Sequence, residues 1–70
     1  MGFKAQRARR IDAKILEVLG RKKQPVSTRE IALSAGVTWH TVESHCLRLQ
    51  LSGRIDGFRI SNINVWVRKK

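Results

Sequence analysis

Acidic residues are scarce in this chain of 70: five Asp and Glu stand against fifteen Lys and Arg, for a formal net charge of +10 and a sequence pI near 11.5. So one-sided a balance attracts polyanions, and nucleic acid is the first partner it points to; simple solubility, or a ribosomal or nucleoid-type role, are competing uses of the same charge. Cysteine is nearly missing too. Cys46 alone cannot close an internal disulfide, and its place on an apolar stripe marks it as a small core residue, with a reducing cytoplasm as the expected compartment. No apolar run approaches the roughly 18 residues of a membrane span, and the N-terminus lacks the apolar region of a secretory signal. No repeat, Ser/Gly linker or low-complexity tract marks a second unit. Length itself is limiting, since a chain this short buries only about 60% of its unfolded surface, enough for one thin core and no enzyme-sized cleft.

What is present is periodicity. Residues 1–10 form a basic N-terminal arm with Lys4, Arg7, Arg9 and Arg10, in which Phe3 is the one large apolar group. From about Ala8 the residues Ala8, Ile11, Ile15, Val18 and Leu19 recur at helical spacing and predict a first helix to Leu19, with Gly20 available as its cap. Pro25 blocks continuation, and a very short strand is expected around Val26. Ser27 and Glu30 have capping-box spacing, which starts a second helix with Ile31, Ala32 and Ala35 inward and Gly36 closing it. Thr38 caps a third helix to Leu51, in which Val42, Cys46 and Leu49 share the buried stripe. Two strands, Ile55–Ile60 and Val65–Arg68, follow, joined by Ser61, Asn62, Ile63 and Asn64, with a bulge expected at Gly57. The face taken by Trp66 is open.

The outer side of the third helix carries Trp39, His40, Thr41, Ser44 and Arg48, a set able to stack, to hydrogen-bond and to supply positive charge. Two helices meeting across a turn of a few residues are the helix-turn-helix arrangement. Trp39 either packs on sugars and thymine methyl groups or covers the edge of the core, and the residues leave both open. Catalysis has little support: His40 and His45 lie five apart, about 140° around the helix, so they do not converge on a metal and are expected as surface or groove contacts. Asp12 and Asp56 fall in separate elements with no acid–base partner pattern. No enzymatic activity, metal or cofactor is therefore expected.

The run Ser27-Thr28-Arg29-Glu30-Ile31-Ala32, then Ala35-Gly36-Val37-Thr38, then Thr41-Val42 through Cys46 and Leu49 to Gly53-Arg54-Ile55, resembles the winged helix-turn-helix family of small bacterial and archaeal transcription regulators. The pattern covers about half the chain, and the flanking helix and hairpin follow the family's order of elements. The chain departs from it with Cys46 in place of a larger aliphatic residue, Leu47 in place of a charged one, and a short wing. The resemblance implies a mainly α fold with a small β-hairpin, a three-helix winged domain over residues 11–70. It also implies that helix 38–51 enters the major groove while the wing, residues 55–69, meets backbone or minor groove.

On that reading Arg48 bonds guanine, Thr38, Thr41, Ser44 and His40 reach base edges or phosphates, and Arg29, Arg59, Asn62, Asn64, Lys4 and Arg7 are further contacts. For Asn62 and Asn64, ordinary turn chemistry is an equal alternative. The expected function is sequence-specific double-stranded DNA binding by a transcription regulator; the alternative is a winged-helix protein-interaction or RNA-binding module. Leu47 and Leu51 lie four apart on a face expected to be exposed, as a small dimer seam, a seat for the arm, or isolated surface leucines. The expected assembly is a monomer or weak homodimer that pairs on DNA.

Overall fold

The computed structural model describes the backbone of residues 3–69 and the side chains of residues 8–69; the side chains of Phe3, Lys4 and Arg7 lie outside the described residues. The elements run α1 (Phe3–Lys22), β1 (Val26–Ser27), α2 (Thr28–Ala35), α3 (Trp39–Leu51), β2 (Ile55–Ile60) and β3 (Ile63–Arg68). The strands form one antiparallel sheet in the order β1-β3-β2, so the hairpin is joined by a third, two-residue strand that supplies Val26 to the core. Three helices on one face of a three-stranded sheet make the winged-helix fold expected above.

Each helix contributes the stripe its spacing predicts. Ile15, Val18 and Leu19 of α1, Ile31 and Ala32 of α2, and Val42, Cys46 and Leu49 of α3 are buried together with Val26, Ile55 and Trp66. Ser27 starts α2 by accepting from the Glu30 amide (3.1 Å), but the reciprocal half of the capping box is replaced: the Glu30 carboxylate turns to Lys22 (3.1 Å), tying the end of α1 to the start of α2. Gly36 takes φ 71° and ψ 31°, the left-handed geometry that returns its amide to Ala32 and allows a sharp turn into α3. Thr38 caps α3, accepting from the Thr41 amide (3.4 Å).

Several local expectations change. The first helix starts at Phe3 rather than near Ala8 and passes through Gly20 to Lys22, and Lys23 takes the left-handed position (φ 56°). Gly20 is not a cap but a clearance: a Cβ there would come 3.0 Å from the Arg68 guanidinium, which crosses α1 to donate to the Leu16 carbonyl (3.4 Å). Gly57 makes no bulge, since β2 and β3 pair without interruption from Ile55↔Arg68 to Ile60↔Ile63. Its missing side chain makes room for the Trp66 ring, which a Cβ would meet at 2.3 Å. The hairpin turn is two residues, not four. Ser61 (φ 49°) and Asn62 (φ 66°) both adopt positive φ, as a turn matched to strand twist requires, so Ile63 and Asn64 belong to the strand.

Candidate functional site

The open face of the molecule is a groove of about 650 Å³ between the start of α3, the first turn of α2 and the tip of the hairpin. Its lining brings together five of the expected contact residues, Arg29, Trp39, Arg59, Asn62 and Asn64, with Thr28, Glu43 and Ile63. Position on the elements explains the convergence. Arg29 projects from the first turn of α2, Trp39 from the first residue of α3, and Arg59 pairs with Asn64 across the hairpin.

A hydrogen-bond chain holds the floor of this groove. The Trp66 indole, 3% exposed, donates to Thr28 Oγ1 (2.8 Å), which donates in turn to the Asn64 carbonyl (3.5 Å), and the Asn64 amide donates to Glu43 Oε1 (2.6 Å). The chain links β3, α2 and α3, so the hairpin tip and the start of α3 are set at a fixed separation. It also resolves the two tryptophans. Trp66 is a core residue whose one polar atom is satisfied, whereas Trp39 is 51% exposed and stacks on His40 with ring centroids 3.7 Å apart. That stack, its rings inclined by 29°, is an aromatic and hydrogen-bonding platform at the mouth of the groove.

The remaining expected residues divide. Thr38, His40 and Ser44 are exposed on α3, and Thr41 shares its hydroxyl with Thr38 (2.9 Å), so the two threonines act as a cap as well as a polar surface. Arg48 is turned away from the groove: its guanidinium lies 3.2 Å from Nδ1 of His45. His45 is itself buried, unlike the surface contact expected, and Nδ1 stands 2.6 Å from the Asp12 carboxylate. A carboxylate only accepts, so Nδ1 carries the proton and donates it to Asp12; the guanidinium contact is then a close polar approach and not a second hydrogen bond. The Asp12–His45 hydrogen bond thus ties α3 to α1.

Thr28, Glu43 and Ile63 were absent from the sequence expectation. Glu43 was within reach of it, because it falls four residues after Trp39 and therefore on the same helical face; Thr28 and Ile63 depend on strand register, which no local pattern announces. Buried Cys46 is chemically quiet. Burial first, then the negative charges of Asp12 and Glu43, push its thiol from 9.0 up to about 12. Among the described residues no three metal-ligating side chains gather, and no helix is long and apolar enough to cross a membrane.

No protein-family model matches the chain, and no curated protein matches it in sequence. Solved structures match it in fold. The Zalpha domain of Carassius auratus PKZ, crystallised in complex with Z-DNA, superposes with a TM-score of 0.77 at 24% identity, covering 89% of this chain and 97% of that one. A HOP2 structure, from work on its DNA recognition and protein interaction domains and its homologous DNA pairing properties, superposes with a TM-score of 0.73 at 16% identity over 84% of this chain and 98% of that one.

Proposed function

We propose that the chain is a non-catalytic duplex-DNA-binding module that acts as a sequence-specific transcription regulator, with α3 in the major groove and the hairpin on the adjacent backbone. The observation that carries this is the groove, in which Arg29, Arg59, Asn62 and the exposed Trp39–His40 stack, drawn from separate elements, face one opening on a molecule of net charge +10. Arg29 and Arg59 neutralise phosphates on the two sides of the opening, and Asn62 donates to the backbone from the turn. His40 and Ser44 offer hydrogen bonds to base edges, with Thr38 and Thr41 at the flank. Arg48 adds a guanine contact when it leaves His45, and Lys4 and Arg7 add backbone charge.

Binding measured against salt, together with selection from a random duplex pool, tests this reading. Wild-type affinity should fall steeply with salt, consistent with about four to six phosphates neutralised. Arg29→Ala with Arg59→Ala should weaken all duplexes alike and reduce the salt slope by about two. His40→Ala with Ser44→Ala should cost about 1 to 3 kcal/mol on the preferred site and relax its consensus. A nearly flat salt response would refute the proposal.

A second reading is favoured by the neighbour crystallised on Z-DNA: selection of duplex conformation in place of base sequence. It is supported by the small number of base-reading groups left on α3 while the Arg48 guanidinium is turned towards His45. Under it, random-pool selection returns no consensus, and alternating C–G duplexes held in the left-handed form bind more tightly than the same sequence in B-form.

A further inference from the structure

A second cationic surface lies at the opposite end of the hairpin. Arg68 crosses the end of α1, and a shallow depression opens on each side of it: one of about 640 Å³, lined by Leu19, Gly20, Lys23, Val67, Arg68 and Lys69, the other of about 370 Å³, which adds Arg54. They share Arg68 and Lys69, so they form one continuous basic trough. It holds four cations, Lys23, Arg54, Arg68 and Lys69, of which Lys69 is paired to Asp56 at 3.6 Å. Among the described residues Lys23 and Arg54 make no ion pair.

The fold fixes Arg68 and the backbone beside it in place. Arg68 is held in the slot left by Gly20, with its guanidinium on the Leu16 carbonyl. Arg54 and Lys69 are joined through the backbone, where the Lys69 amide donates to the Arg54 carbonyl (3.1 Å) at the open end of the hairpin. Two open depressions sharing cations around one anchored arginine suit a run of phosphates better than a compact ligand. None of the trough's residues lines the first groove. The thirteen residues of α3 run from Trp39 at that groove to the base of the hairpin, a separation of about 20 Å. The two surfaces are therefore separated by roughly one duplex width.

We propose that this trough is a second phosphate-backbone site, so that one chain holds two duplex segments at once. The inference rests on the DNA-binding reading of the first groove. The trough carries no base-reading platform like Trp39–His40, so the second segment is held without regard to sequence.

The test uses the full chain and short duplexes of about one helical turn, too short to fold back onto both surfaces. One duplex is immobilised, protein is added, and capture of a labelled second duplex is recorded beside ordinary binding to the first. The wild type should capture the second duplex. Lys23→Gln, Arg54→Gln and Lys69→Gln combined should lower that capture by about tenfold or more while changing binding to the first by less than about threefold. Leu47→Glu with Leu51→Glu should leave capture intact, because one chain makes the bridge. Normal binding with no second capture overturns the proposal, as does capture that survives the triple substitution or is lost with the leucine pair. Weaker binding of the first duplex by the triple variant, without second capture, would mean that the trough holds the flank of the same duplex, and this too overturns it. No binding to either duplex removes the groove reading and the bridge together, an outcome distinct from loss of the bridge alone.

Discussion

Cys46 shows what a single side chain contributes here. It occupies the position between Val42 and Leu49 on the buried stripe of α3, and its thiol is held protonated to about pH 12 by burial and by the negative charges of Asp12 and Glu43. Because the folded value lies above the unfolded value of 9.0, the stability tied to the neutral thiol is fully present below pH 9. It is lost progressively as pH rises towards 12, where the unfolded chain ionises and the folded chain does not. Cys46→Ala should therefore be less stable than wild type by about 1 kcal/mol at pH 7, through the cavity it leaves. That gap should narrow from pH 9 upward. Urea unfolding of both proteins at pH 7, 9 and 10.5 measures it, and a gap independent of pH would count against the assignment. The same burial should make the thiol slow to alkylate in the native state.

The hairpin is the element on which the fold depends most directly, because the Trp66 ring fills the space over Gly57 and bonds Thr28 at its far side. Gly57→Ala places a carbon where the ring is. It should destabilise the protein by about 1 to 3 kcal/mol, seen as a lower urea midpoint, and should weaken DNA binding by shifting Arg59 and Asn62. Ala at an exposed strand position would change stability far less, so an unchanged midpoint would refute the steric account.

Elements of this kind explain what could be read from the chain alone. The order of helices and strands, the core stripes and the caps Ser27, Gly36 and Thr38 were all legible, because each follows from local spacing or turn chemistry. Gly20 and Gly57 were legible as exceptions but misread as a cap and a bulge, since their reasons are Arg68 and Trp66, 48 and nine residues away. The groove was half legible. Arg29, Trp39, Arg59, Asn62 and Asn64 do line it, while Arg48 turns towards His45 one helical turn back, and His45 is itself buried by its bond to Asp12, a pairing across 33 residues that helical periodicity cannot supply.

For the whole molecule, charge and exposed apolar area work against each other. Leu33, Leu47 and Leu51 stand on the helical surface, and Phe58, Ile60 and Ile63 near the hairpin tip, all exposed and spread over separate elements. A secure interface needs roughly 1,000 Å², and these side chains are divided between α2, α3 and the hairpin. Every copy carries a formal +10, so association in free solution must overcome repulsion that only salt or a polyanion relieves. The chain should sediment as a monomer of 8.0 kDa at micromolar concentration and moderate salt, with Leu47→Glu and Leu51→Glu changing nothing. Duplexes long enough to offer adjacent sites should bring copies together by neutralising their charge. A stable dimer at low salt, where repulsion is strongest, would show instead that the exposed leucines or the hairpin face form an interface stronger than their area allows.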